Sequence, residues 1–473
     1  MGDVSEALFV STLDNERASC CVQDLRTGTD LMRYKGGGTM QPHSLQMLEN
    51  HFMIAANSTK PLLHVWPING QEQMANIRYV VAGRVSALAV TPDSGFLIAG
   101  IQETIYVWHL STGRLLNTLA KHYQPVTCIR FTDNGEHFAT AGKDGAVLIW
   151  NLTRTTAPLG CSDSEENAPL YSFNDHGLAV TDVHIGVGGI RAFMYTVSLD
   201  RCCKVYDLSD GTLLLNVVFP VALHSVVVDR LETSVYVGTD DGQVLIFRMD
   251  KVPRMREYHL EEEESQSFIG HTTGSAITCL ALSMNAQQLI SGGEDKRVCI
   301  WDVSSRQLIK SIAQPGAITN LQVRQMNSAR FHAGPKPMKF FADSLKRMIS
   351  PAEDDDYAIE LLITGEYAKA PKFSPPNFDN CYDGTDDADS VTIPDLDEEP
   401  SAQMAVDEFE NSSFDDDDDK DVKMSDTSEL EKLRAENARL KLEVKRLTNK
   451  VAPTPNPTAN LKSAKRSKKR RKN

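Results

Sequence analysis

Val65-Trp66-Pro67-Ile68, Val107-Trp108-His109-Leu110, Ile149-Trp150-Asn151-Leu152 and Ile300-Trp301-Asp302-Val303 place all four tryptophans of the chain in one local pattern. Val205-Tyr206-Asp207-Leu208 and Ile246-Phe247-Arg248-Met249 repeat it with a smaller aromatic residue, and Val22-Gln23-Asp24-Leu25 is a degenerate copy. From Gln23 onward the central positions are separated by 43, 42, 42, 56, 41 and 54 residues. A base period near 42, lengthened twice, is that of a β-propeller blade. Upstream of each copy lies an alternating apolar strand such as Val126-Thr127-Cys128-Ile129-Arg130-Phe131, then a turn and a second strand such as His137-Phe138-Ala139-Thr140. Strand periodicity punctuated by turns at a fixed interval predicts an all-β, seven-bladed propeller over residues 4–325.

The seventh blade is split. Residues 317–323 read as a lone first strand and residues 6–35 as three strands lacking a first. Joining them closes the ring and removes the exposed sheet edges. The two long intervals are insertions, roughly 154–172 and 250–266, both after the third strand of a blade. They are expected on one face, either as solvated loops or as a docking surface on a rigid scaffold. The second contains Glu261-Glu262-Glu263-Glu264.

Blade six carries His271, Ser291 ten residues and Asp295 six residues before Trp301. Blade three repeats the offsets with His122, Thr140, Asp144 and Trp150, and blade four with His176, Thr196, Asp200 and Tyr206. Blade two departs, with Ile98 and Gln102 at those offsets, and blades one and five are incomplete. These residues resemble the WD40-repeat family. The resemblance implies that each set is a hydrogen-bonded chain tying adjacent strands together, structural glue rather than a catalytic Asp–His pair.

Beyond the ring the composition changes. In residues 326–377, a post-propeller docking segment, Phe341, Leu345, Met348 and Ile349 fall on one face of a helix, with the propeller and a partner both open as its docking surface. A second apolar stretch in this segment is Tyr357–Ile363. Residues 378–427 form an acidic linker expected to be disordered. Over residues 428–451, Leu430, Asn437, Val444 and Val451 occupy a positions and Leu433, Leu440 and Leu447 d positions. Leucine at every d and one buried Asn favour a parallel two-stranded coiled coil, hence a homodimer. Docking of this amphipathic helix on another protein is the alternative. Ser428 and Glu431 supply a capping box. Residues 452–473 form a basic tail in which Lys465, Arg466, Lys468, Lys469, Arg470, Arg471 and Lys472 are a nuclear-localisation candidate. No aromatic residue interleaves to stack on bases, so RNA contact is expected to be at most indirect or through this tail.

The charge follows the same divisions. Residues 379–429 carry −18 and residues 430–473 carry +12, which leaves −9 of the overall −15 for the remaining 378 residues. No apolar run approaches a membrane span, and the N-terminus lacks the basic and apolar regions of a signal peptide. Nine cysteines with no CxxC read as reduced thiols of a cytosolic or nuclear protein. Neither a P-loop, GxSxG, HExxH nor EF-hand pattern occurs, and Gly186-Val187-Gly188 lacks the third glycine of a dinucleotide fingerprint. No enzyme activity, cofactor or metal is expected.

The stretch Leu119–Thr132, then Gly142-Lys143-Asp144-Gly145, Asp175-His176, Val180-Thr181-Asp182, the Gly186-Val187-Gly188-Gly189 turn and Ser198-Leu199-Asp200 resemble the WD repeat-containing protein 18 family over roughly residues 80–325. The resemblance implies a non-catalytic scaffold of a nuclear complex that matures the large (60S) ribosomal subunit, associated with removal of an internal spacer from pre-rRNA and with recruitment of the midasin ATPase. It implies armadillo- or HEAT-type scaffold subunits, the pre-60S particle and midasin as partners, and the nucleus, nucleolus and nucleoplasm as location. A generic nuclear WD40 scaffold of chromatin or replication uses the same parts. A ubiquitin-ligase substrate receptor would want Trp-Asp-x-Arg, whereas Trp301-Asp302 is followed by Val303-Ser304.

Overall fold

The computed structural model describes residues 4–13, 18–49, 51–74, 77–156, 168–250, 256–260, 266–327, 329–332 and 344–349. The heptads of 428–451, the basic run of 462–472 and the acidic linker lie outside the described residues. No helix among the described residues is long and apolar enough to cross a membrane.

Among the described residues seven sheets follow one another, each built on four antiparallel strands. Blade three shows the pattern: Val126–Phe131, His137–Gly142, Val147–Asn151 and Tyr171–Phe173 pair in sequence order. The first strands, from Gln46–Leu48 through Val85–Val90, Val126–Phe131, Val180–Ile185, Leu223–Val228 and Ile277–Leu282 to Ile318–Asn327, touch their neighbours in turn and so surround the axis. Second strands are buried along their length, as in His137–Gly142, because a blade is covered on both faces. Outermost strands alternate, as in Leu115–Ala120. The apolar core therefore lies between blades. Trp150 packs with Ala87, Ile98 and Val107 of the preceding blade, and Tyr206 with Cys128, Ala139 and Ile149.

Closure is made by both ends of the ring. Val4–Thr12 lies between Ile318–Asn327 and Cys20–Asp24 in one sheet, in register from Val4↔Asn327 to Ser11↔Asn320. Ser11 and Thr319 share a 2.7 Å hydroxyl–hydroxyl bond. Asn320 Nδ2 donates to Gln41 O at 2.9 Å while its Oδ1 accepts from Ser44 N–H at 3.0 Å, hooking blade seven to blade one.

A hydroxyl stitch links several other first strands. Thr127 Oγ1 donates to Val180 O (2.7 Å), Thr181 Oγ1 to Leu223 O (3.0 Å), Ser225 Oγ to Ile277 O (2.9 Å) and Thr278 Oγ1 to Ile318 O (2.7 Å). Each satisfies a carbonyl at the axis, where no further strand is available to pair with it.

The insertions leave from the face of the first-to-second-strand turns, as antiparallel alternation requires. Their described parts then run back to the preceding blade rather than standing on the face as loops. The short helix Leu152–Thr156 brings Thr155 O to Asn117 Nδ2 of blade two's outermost strand, at 2.9 Å. Glu257–His259 pairs in parallel with Thr212–Val218 and becomes a fifth strand of blade four. Glu261–Glu264 lie outside the described residues.

After blade seven, Phe331 is buried against Tyr34 and Met40. Residues 344–349 return to the ring and are not helical. Ile349 bridges Leu115 in parallel, and Lys346 N–H donates to Gly113 O at 2.7 Å. Leu345 is buried among Val85, Trp108 and Leu115, whereas Met348 is 80% exposed. The helical spacing of apolar residues is thus overridden by backbone pairing with an edge strand, which supplies hydrogen bonds that an isolated short helix would have to make alone.

Candidate functional site

Three of the predicted sets come together through their histidines. In blade six, His271 Nδ1 lies 3.0 Å from Asp295 Oδ2 and its Nε2 2.7 Å from Ser291 Oγ, which accepts from Trp301 Nε1–H at 2.8 Å. In blade three the distances are 3.1 Å for His122 to Asp144, 2.9 Å for His122 to Thr140 and 3.0 Å for Trp150 to Thr140. The hydroxyl accepts from the indole and so donates to Nε2, which leaves Nδ1–H to donate to the carboxylate. The same carboxylates cap two turns. Asp295 accepts from Thr272 N–H and Arg297 N–H, and Asp144 from Tyr123 N–H and Ala146 N–H. Burial holds the His122 imidazole below its ordinary value despite Asp144. Each side chain of the two sets is thus bonded within the fold. Asp295→Ala strands the His271 Nδ1–H and the Thr272 and Arg297 N–H groups and should lower stability by roughly 1–3 kcal/mol. Urea unfolding with an unchanged midpoint would show that blade six does not depend on this chain.

Blade four differs at one position. His176 reaches Asp200 (2.9 Å) and Thr196 (2.8 Å), but Tyr206 does not join them: its hydroxyl donates to Asp175 Oδ2 at 3.1 Å. An indole N–H sits on the flank of its ring, whereas a phenol hydroxyl sits at the far end and overshoots Thr196. Burial opposes ionisation of Asp200, yet bonds from His176 and from the Cys202 and Gly177 N–H groups hold its carboxyl at about 2.

Blade two solves a missing acceptor from outside. Ile98 offers no hydroxyl, and Trp108 Nε1–H donates instead to Lys346 O of the post-propeller segment at 2.8 Å. Trp66 of blade one likewise donates to Lys35 O at 2.8 Å.

Sequence reasoning missed a polar knot at the axis. Asp182, on the first strand of blade four, accepts from Arg130 Nη2 of blade three at 3.3 Å, from Cys128 Sγ at 3.5 Å, and from Val183 and Val226 N–H at 2.9 and 3.2 Å. His43, which precedes blade one, lies 3.7 Å away. Burial alone would raise the Asp182 carboxyl; His43, Arg130 and the two N–H donors hold it below its ordinary value. Burial lowers the His43 imidazole, so Arg130 is the standing counter-ion near neutral pH. A signal was available: histidine aside, Arg130 and Asp182 are the one acidic or basic residue each, opposite in sign, in the innermost strands of consecutive blades.

The knot tests the metal question. Nitrogen, sulfur and oxygen atoms of His43, Cys128 and Asp182 lie within 4.8 Å of one another. Arg130 already occupies the carboxylate, and burial pushes the Cys128 thiol up to about 12. A cation would have to displace a guanidinium and a tightly held thiol proton, so the residues fit a hydrogen-bonded knot rather than a metal centre. Beside it is a polar cavity of about 90 Å3 reaching Asn320 and Cys279.

Comparison with known proteins agrees with this architecture. The WD domain, G-beta repeat family matches residues 113–151 and 262–302, which hold the first three strands of blades three and six. WD repeat-containing protein 18 of Danio rerio is 34% identical over 340 residues, covering 72% of this chain and 77% of the relative. The Homo sapiens protein of that name is 34% identical over 307 residues, 64% of this chain and 69% of the relative. Pre-rRNA-processing protein IPI3 of Yarrowia lipolytica is 29% identical over 336 residues, 67% of this chain and 74% of the relative. Aligned at that identity over most of both sequences, and built as a seven-bladed ring, the chain belongs to the WD repeat-containing protein 18 family.

Proposed function

We propose that this chain is a non-catalytic scaffold of a nuclear complex for 60S ribosomal subunit biogenesis, acting in pre-rRNA internal-spacer processing and in recruitment of the midasin ATPase. One observation carries the reading: similarity to relatives named for pre-rRNA processing extends over about two thirds of the chain rather than over one or two blades. The His–Asp pairs of the ring support it, because they are spent on turns and strand ties and leave the surface as the working part. Armadillo- or HEAT-type subunits and the pre-60S particle are its partners in this reading. Residues 428–451 bring two copies together, and residues 462–472 serve as the nuclear and nucleolar address.

Depletion tests it. Spacer-containing precursor of the large-subunit RNA should rise and free 60S subunits should fall, with 40S near normal. The full chain should restore both. A chain carrying Leu433→Pro and Leu440→Pro, which break the helix interior, should scatter light as a monomer and restore less. Depletion that leaves the 60S:40S ratio untouched would remove this function in favour of a generic nuclear scaffold.

A further inference from the structure

The Gly186-Val187-Gly188-Gly189 turn of blade four gathers acids from both neighbours. Val187 N–H donates to Glu232 Oε1 of blade five at 3.2 Å, and Gly188 and Gly189 N–H donate to Asp133 of blade three at 3.1 and 2.7 Å. Gly188 and Gly189, at φ +127° and +63°, hold the turn in the left-handed region that favours glycine. The turn's N–H groups are therefore engaged and do not await a phosphate.

Under this arch opens a cavity of about 330 Å3 at the axial mouth, spanning blades three to six. Phe131, Ile185, Val227 and Leu282 are among its apolar walls. Val187 (61% exposed) and Met284 (39% exposed) also border it, as do Asp133, Asp229 and Glu232 against the single guanidinium of Arg230. Glu6 adds a fourth carboxylate beside Met284, accepting its N–H at 3.1 Å. Deeper in, burial and the charge of Arg130 press His184 down to about 4, so it is neutral at pH 7, and Arg130 is matched by Asp182. The mouth is thus apolar in its walls and negative at its border.

We propose that this mouth binds a peptide segment of a partner protein that presents an arginine or lysine beside aliphatic residues. The apolar walls take the side-chain stem and the flanking aliphatic groups, while the carboxylates at the border take the charged head. Nucleic acid is disfavoured because its phosphates would face those carboxylates. The site goes beyond the ribosomal reading and does not depend on it.

Fluorescein-labelled peptides of repeating Leu-Arg-Leu, Leu-Glu-Leu and Ser-Arg-Ser, and a U-rich RNA, titrated into the full chain by anisotropy, test the site. Glu232→Gln with Asp229→Asn keeps the acceptor for Val187 N–H and removes two charges; Val187→Arg, at an exposed position, fills the mouth with a cation of the chain's own. The acidic stretch 379–429 attracts cations alike in all three proteins, so the difference between proteins is the readout. Leu-Arg-Leu should bind at least tenfold tighter than Leu-Glu-Leu and lose most of that advantage in both variants, with unfolding midpoints unchanged. The site is overturned by equal binding to wild type and Val187→Arg, by Ser-Arg-Ser showing the same variant-sensitive binding, or by RNA binding that the variants weaken instead.

Discussion

Replacing Asp182 with alanine is expected to lower the stability of the ring by about 3 kcal/mol, the lower end for breaking a buried ion pair. The carboxylate is 6% exposed and ties four other polar groups: the Arg130 guanidinium, the Cys128 thiol and two backbone N–H groups. Removing it leaves Val183 and Val226 N–H short of an acceptor and Arg130 without a counter-ion. Arg130 itself is 40% exposed toward the cavity, so water recovers part of that loss. Asp182→Asn keeps an acceptor oxygen and should lose roughly half as much. The sign with pH follows from the depressed carboxyl. Its contribution is present above the ordinary value of 3.8 and is lost as pH falls through the lower folded value, so the gap between wild type and Asp182→Asn should narrow in acid. Guanidinium unfolding at pH 7 in which alanine and asparagine variants match wild type would show that the knot contributes nothing.

Ending the chain at Asn327 should also destabilise the ring by about 3 kcal/mol, although every propeller strand remains. The truncation removes Leu345, whose burial contributes about 1.5–3 kcal/mol, and the main-chain groups that bond Gly113 O and Trp108 Nε1–H. Phe331 leaves its place against Tyr34 as well. The effect should be local: amides of Leu115–Ala120 in blade two should exchange faster than those of Leu308–Ala313 in blade six, which none of the bonds named above reaches. Leu345→Asp in the full chain should produce the same pattern more weakly. Equal exchange in the two strands would mean that blade two stands without its strap.

The ring was legible because its information is periodic and local. Each blade repeats an aromatic position at an interval near 42, and the orphan strand at 317–323 had one plausible partner, the three-strand remnant at residues 6–35. The tetrads were legible for the same reason, as fixed offsets from Trp150 and Trp301. What was hidden depends on residues far apart in sequence. Arg130 and Asp182 sit on consecutive blades, but His43, which precedes blade one, reaches Asp182 only because the chain curves round into a ring, and no offset connects the three. Ile98 announced that Trp108 lacked its usual acceptor, but not that Lys346 would provide one. The apolar spacing of Leu345, Met348 and Ile349 fitted a helix because periodicity does not register a nearby edge strand. Tyr206 satisfied the aromatic position while its hydroxyl, at the wrong end of the ring, went to Asp175.

The shared sheet of blade seven also sets a timetable for synthesis. Ser11 and Thr319, which bond directly, are 308 residues apart. At about 5–20 residues per second a ribosome needs roughly 15–60 s to bring the second within reach of the first. Throughout that interval Val4–Thr12, buried on both edges in the finished protein, presents an unpaired flank on the nascent chain. Six blades can form behind it, but none can supply the missing strand. The nascent protein therefore carries this open edge until Ile318–Asn327 has been made, so closure is the last step that synthesis permits.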